Sequence, residues 1–162
     1  MDFDKKIIFE NLIDIIAEEL DVCIRAANSA HEAATHEELV AENKYDTKGL
    51  EASYLAGAQA RRANELQIDI DEIKKIQIKN FSEQEAIDYS SLVEIEDEDG
   101  ASKFLLIVNR AGGYKIQYQG VEIQSITPAS PLGQKLWKKK LDDEIELKTQ
   151  TQSKYYSIIG HH

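Results

Sequence analysis

Between residues 31 and 51 the chain gathers Glu32, Glu37, Glu38, Glu42, Asp46 and Glu51 against two bases, Lys44 and Lys48. Carboxylate oxygens at this density are the donors that a hard divalent cation such as Mg²⁺ takes. The competing use is structural, because acids near a helix start offset its dipole and cap its free N–H groups. His31-Glu32 and His36 do not make a zinc pair. Histidines must stand about 400° apart along a helix to share a face, and these stand about 500° apart, diverging by roughly 140°. Gly112-Gly113 is followed by no Lys-Ser or Lys-Thr, so no phosphate-cradling loop is present. Cys23 is the only cysteine, which excludes an internal disulfide and a CxxC zinc site. No serine or cysteine stands out as a nucleophile with a base beside it.

Two elements position the acids. Phe9, Ile13, Ile16, Leu20, Cys23, Ala27, Ala30 and Ala34 recur at alternating spacings of four and three, a heptad seam. No glycine precedes Gly49 and no proline precedes Pro128, as a long uninterrupted helix requires. A second run reads Ala52, Ala56, Ala60, Ala63, Leu66, Ile70, Ile73 and Ile76. The first seam tapers from large residues to small and the second from small to large. An antiparallel hairpin brings alanine against alanine at a slim tip and large side chains together at a broad base. A compact helical bundle also uses heptads, but no third long helix remains in the sequence to complete one. Asn43, Asp46, Thr47 and Gly49 are turn and cap types, and Asp46 or Thr47 can start the second helix. The tip therefore carries the carboxylates.

From residue 81 the hydrophobic period changes to two. Strands are expected at residues 92–96, 104–108, 114–118, 121–126, 144–147 and 154–159. Asp97-Glu98-Asp99-Gly100, Ala111-Gly112-Gly113 and Gln119-Gly120 supply turns between the first four. Ser130-Pro131 opens a short helix as N-cap and first residue, and Lys138, Lys139 and Lys140 are expected in its last turn. The expected organisation is a coiled-coil hairpin over residues 1–80 and an antiparallel α+β domain over 81–162. His161 and His162 read as the remnant of a purification tag, outside the fold.

Composition narrows the function. Of 162 residues, 42% are apolar and 30% charged, which suits a soluble globular protein, and no apolar run approaches the ~20 residues of a membrane helix. The opening residues show no signal-peptide pattern, so a cytoplasmic protein without a membrane partner is expected. Acids outnumber bases 30 to 19, and a formal charge of -11 disfavours a surface that grips phosphate backbones unaided.

The segment Ser130-Pro131-Leu132-Gly133-Gln134-Lys135-Leu136-Trp137-Lys138-Lys139-Lys140-Leu141-Asp142-Asp143-Glu144-Ile145-Glu146-Leu147 resembles the carboxy-terminal signature of the GreA/GreB bacterial transcript-cleavage factors. There a Ser-Pro-(Ile/Leu)-Gly helix leads through Gly-Lys-Lys into an Asp-Glu-Val-Glu-Val-like strand. The closing Tyr155-Tyr156-Ser157-Ile158-Ile159-Gly160 is similar to that family's final strand. The order of hairpin then α+β domain extends the resemblance more loosely over the whole chain.

The resemblance implies an FKBP-like carboxy-terminal domain that docks on RNA polymerase and a coiled coil inserted through the secondary channel. Acidic tip residues would then help hold a Mg²⁺ beside the polymerase's own aspartates, and no cofactor is held by the factor alone. It implies an accessory factor rather than an enzyme, meeting DNA and RNA only through the polymerase. The family tip reads Asp-Leu-Ser-Glu-Asn-Ala-Glu-Tyr, and two registers compete here. One places Glu42 at the glutamate and Leu39, beside Glu38, at the aspartate. The other places Asp46 at the aspartate and Leu50, beside Glu51, at the glutamate. Glu42 and Asp46 are the expected Mg²⁺-directing carboxylates, with Glu51 in reserve. Two alternatives stand beside cleavage stimulation. One is a channel regulator or inhibitor without cleavage activity. The other is an FKBP-like chaperone or isomerase with a helical arm, which requires an aromatic-lined apolar pocket among Tyr89, Phe104, Tyr114, Tyr118, Trp137, Tyr155 and Tyr156.

Overall fold

The long stretch free of glycine and proline has its consequence in a computed structural model, in which α1 runs unbroken from Lys5 to Leu39. The structure describes residues 2–39 and 47–162. Asp4 caps α1: its Oδ1 accepts from the backbone N–H of Lys6 at 3.0 Å, and its carbonyl from that of Ile8 at 3.1 Å. A second helix, α2, spans Lys48–Lys74. Thr47 stands at its start, its carbonyl accepting from Glu51 N–H at 2.9 Å.

Residues 14–71 form one compact unit, made of most of both helices. Arg62 of α2 donates to Glu19 Oε1 of α1 through Nε at 3.1 Å and Nη2 at 2.7 Å. From Glu19 to the end of α1 is about 30 Å of helix, and from the start of α2 to Arg62 about 21 Å. Only a chain that doubles back can bring those side chains together, so the pair is an antiparallel hairpin. Its seam is the expected one on α1, with Ile16, Cys23, Ala30 and Ala34 buried. On α2 the seam holds at Leu66 and Ile70 but fails at Ala60, which is exposed. Two successive steps of four carry Ala60 about 80° round from Ala52, and Gln59 takes the half-buried place instead.

The other compact unit takes residues 1–13 together with 72–162, so the first turns of α1 and the end of α2 group with the sheet. Its strands are β1 (Leu92–Asp97), β2 (Ser102–Ile107), β3 (Lys115–Tyr118), β4 (Val121–Ile126), β5 (Glu144–Lys148) and β6 (Ser153–His161), with α3 (Pro131–Leu136) between β4 and β5. They form one sheet in the order β3-β4-β2-β1-β6-β5. Four of its five pairings are antiparallel, as expected; β2 and β4 run parallel, because β4 inserts between β2 and the edge strand β3.

Alternation along the strands divides the sheet into two faces. Val93, Ile95, Leu105, Ile107, Ile126, Tyr156 and Ile158 form a core with Leu136 of α3 on one of them. The first residues of the chain are tied to the same unit by Asp4 N–H donating to Tyr118 Oη at 3.0 Å and Asn11 Nδ2 to the Gln117 carbonyl at 3.4 Å.

Ser130 caps α3 as expected, its Oγ accepting from Gly133 N–H at 3.1 Å with Pro131 at the first turn. The lysines, however, fall beyond the helix. α3 ends at Leu136, and Lys138 has a left-handed backbone with φ 64°. That turn exists because the strand-like exchange of Ile87 N–H with Lys139 O at 2.8 Å and of Lys138 N–H with Ile87 O at 3.1 Å pulls the chain out of helix. The two final histidines, set outside the fold by the sequence, belong to the sheet. His161 lies in β6 opposite Val93, and His162 exchanges backbone hydrogen bonds with Leu92 at 2.9 and 3.0 Å.

Ile95 is fully buried, whereas Ile159, set out from the sheet by a bulge, is 42% exposed. Ile95→Ala should lower unfolding free energy by about 2–5 kcal/mol and Ile159→Ala by under about 0.5 kcal/mol, read from urea denaturation.

Candidate functional site

Of the three expected metal-directing carboxylates, Glu42 and Asp46 lie outside the described residues. Glu51 lies in the first turn of α2, exposed, where its carboxylate meets Thr47 Oγ1 at 3.4 Å. In that place it serves the helix start, the structural use that the sequence left open. Leu50, Tyr54 and Leu55 beside it are exposed, Tyr54 by 72%. His31 and His36 are both exposed on α1, and Cys23 is buried on the seam. Among the described residues no three His, Cys, Asp or Glu side chains are grouped to hold a metal ion.

The densest chemistry lies elsewhere, in the sheet unit, and the sequence did not signal it. Lys5 is buried with 4% exposure. Its Nζ donates to the carbonyls of Lys79 and Ser90, the latter at 3.1 Å, and sits 4.8 Å from the Phe81 ring centroid. Phe81 stacks in turn on His161 at 4.8 Å. Burial pushes the Lys5 ammonium down to about 8. Burial, helped by the Lys5 charge, also holds the His161 imidazole below its ordinary range. His161 Nε2 and Ser91 Oγ share a hydrogen bond of 2.9 Å, while the buried Nδ1 has no hydrogen-bond partner among the described residues. A lysine four residues from the start of a polar leader reads as solvated. Only its two carbonyl acceptors, more than seventy residues away, reveal its role.

The Lys138–Lys140 turn has its own contacts. Lys138 pairs with Asp88 and lies 4.5 Å from the Trp137 ring centroid, with Tyr89 packed against Trp137 at 4.9 Å. Partial burial alone would raise the Asp88 carboxyl, but the hydrogen bonds from Lys138 and Tyr89 N–H and the Lys138 charge outweigh it and hold it low. Lys139 and Lys140 remain exposed.

Beside the Lys5–Phe81–His161 stack lies a hollow of about 900 Å³ bordered by Phe3, Phe81, Phe104, Glu83, Glu94 and His162. Of the seven aromatics that an isomerase pocket would draw on, Phe104 alone lines it. Two carboxylates in its wall are ill matched to an uncharged prolyl ring.

No protein-family model matches the chain, and no curated protein matches it. Solved structures do. The chain is similar to transcription factors of the GreA kind. The crystal structure of GreA factor homolog 1 (Gfh1) of Thermus thermophilus is 21% identical with a TM-score of 0.39, over 93% of this chain and 94% of that one. Thermus aquaticus Gfh1 is 22% identical with a TM-score of 0.41, over 97% and 95%. The prokaryotic transcription elongation factor GreA/GreB from Nitrosomonas europaea is 15% identical with a TM-score of 0.36, over 82% and 92%.

The shifted Lys5 gives a signed pH test. In the folded chain it releases its proton near 8 and in the unfolded chain near its ordinary 10.5. Between those values the unfolded state holds more protons, so stability due to Lys5 rises with pH. The stability of wild type relative to Lys5→Met, measured by thermal unfolding, should therefore increase from pH 8 to 10.5. A difference that stays flat across this window would show the ammonium to be solvated.

Proposed function

We propose that the chain binds RNA polymerase and acts through its secondary channel in the manner of a GreA/GreB factor, stimulating cleavage of backtracked RNA. The observation that carries the reading is the segment Ser130–Leu147. Its residues resemble the family signature, and they fold as a serine-capped helix, a turn carrying exposed lysines, and strand β5. An antiparallel two-helix hairpin precedes that segment in the chain, which supports the same reading.

The hairpin's acid-rich connection is the part suited to action. Glu42, Asp46 and Glu51 offer only carboxylate oxygens, a donor set that fits Mg²⁺ and not a soft metal. Held beside a polymerase's own aspartates, a Mg²⁺ ion would stabilise charge on the oxygens of an in-line displacement at RNA. The chain itself would contribute position and charge: Glu42 and Asp46 direct the ion, and Glu51 stands one turn into α2 as reserve. It would hold no cofactor alone and catalyse nothing alone. The exposed Lys139 and Lys140 suit a docking contact that weakens with salt. No helix among the described residues is long and apolar enough to cross a membrane, and the work proposed belongs in the cytoplasm.

A second reading is favoured by one feature of the sequence. Neither register of the tip keeps both family acids at the family spacing, as a channel-binding inhibitor without cleavage activity allows.

The test is RNA cleavage in a stalled elongation complex with and without the protein. Wild type should shorten the transcript in a Mg²⁺-dependent way. Asp46→Asn and Glu42→Gln should keep polymerase binding and lose about 10-fold or more of the cleavage rate, the scale of losing one metal-directing group. Slowed elongation without cleavage supports the inhibitory reading. Variants that cleave like wild type would reduce the acids to helix caps.

A further inference from the structure

Glu94, Phe104 and Gly160 sit opposite one another on the adjacent strands β1, β2 and β6. The register places them in one row on the face away from the Val93–Ile95–Leu105 core. Continuing outward, the row meets Ile123 of β4 and Ile116 of β3, both fully buried. The covering ends at Phe104, where Phe3 packs at 5.3 Å between ring centroids. Past that point the row opens into the hollow, with Glu94 and Gly160 in its wall.

Gly160 is informative because its backbone does not need glycine. It lies in a strand outside the left-handed region, where glycine is destabilising because it loses the most chain freedom on folding. What it supplies is space. A Cβ at residue 160 would come 3.0 Å from Glu94 Cβ, 3.3 Å from Glu94 Oε2 and 3.5 Å from His162 Nε2. The missing side chain therefore leaves room for the carboxylate, and a glycine in a strand commonly marks such a close approach. A β-bulge between the pairs of Glu94 and Ile95 turns the strand at this same place.

The wall has a definite chemical character. Among the described residues the Glu94 carboxylate takes no hydrogen bond or ion pair. Burial, with the Lys5 charge, holds His162 below its ordinary range against the opposing pull of Glu94. Glu83 adds a second negative charge. Phe3 lies between Phe104 and His162, at 5.3 and 5.2 Å, with both rings tilted 52° to it. Ring faces attract cations, and a carboxylate beside aromatic rings suits a flat cation that can take two parallel hydrogen bonds while lying on an aromatic face.

We propose that this hollow binds a guanidinium group, with Glu94 as its carboxylate and the Phe3 and Phe104 rings as its walls. The inference rests on the sheet unit alone and is independent of the polymerase reading. The group can come from a small guanidinium compound or from an arginine side chain of a protein partner.

The test is an NMR titration of the full chain with methylguanidinium, with N-methylurea as an uncharged match, and with a blocked arginine peptide. Methylguanidinium should give saturable shifts at Gly160, Phe104 and His162, and N-methylurea none. Glu94→Gln should weaken binding at least 10-fold while the rest of the spectrum stays in place. Phe3→Leu, which keeps apolar bulk and removes the ring, should weaken it several-fold. A peptide bound 10-fold or more tighter than methylguanidinium identifies a protein side chain as the source; equal affinities identify a small ligand. Shifts that never saturate, an equal response to N-methylurea, or unchanged affinity in Glu94→Gln would overturn the proposal.

Discussion

A two-helix hairpin has a seam only one side chain wide, and its first helix must be held at its start by something other than that seam. Lys5 does this. Its ammonium is taken out of water to serve two carbonyls, those of Lys79 and Ser90, that terminate no strand or helix of their own. Removing the ammonium would leave the buried Ser90 carbonyl without its donor, at about 1–3 kcal/mol. The Phe81 ring lies against the same ammonium and His161 against the ring, so the last strand of the sheet is drawn into one contact chain with the first turn of α1. Asp4 bonding to Tyr118 Oη and Phe3 packing on Phe104 complete the attachment. The hollow beside Glu94 exists because these contacts stop at Phe3.

Much of this architecture was legible. The strand at residues 121–126 and the Ser130 cap follow from local rules, alternation in one case and a side-chain acceptor at a helix start in the other. The α1 seam was readable because heptad spacing and burial are the same fact seen twice. At Ala60 the reading failed because alanine fits a seam and a surface equally well, so only the accumulated rotation decides.

The unread parts depend on contacts distant in sequence. Nothing near Lys138 announces a left-handed turn; the Ile87 backbone, fifty residues earlier, imposes it. The parallel β2–β4 pair is decided by where β3 goes. Two terminal histidines resemble an appendage until Leu92 and Ser91 are found to be their partners. The candidate site divides the same way. Glu51 is placed by its cap, while the Glu94–Phe104–Gly160 row is a cross-strand relation no linear spacing displays.

On the function proposed, the acid-rich end of the hairpin works inside a polymerase while the sheet unit holds on outside. Tyr54, exposed one turn beyond Glu51, is the place to ask. With a photo-crosslinking amino acid substituted at Tyr54, irradiation of the complex with a stalled polymerase should label polymerase segments bordering its catalytic aspartates. Labelling confined to the outer surface of the polymerase, or no labelling when binding is saturated, would contradict it.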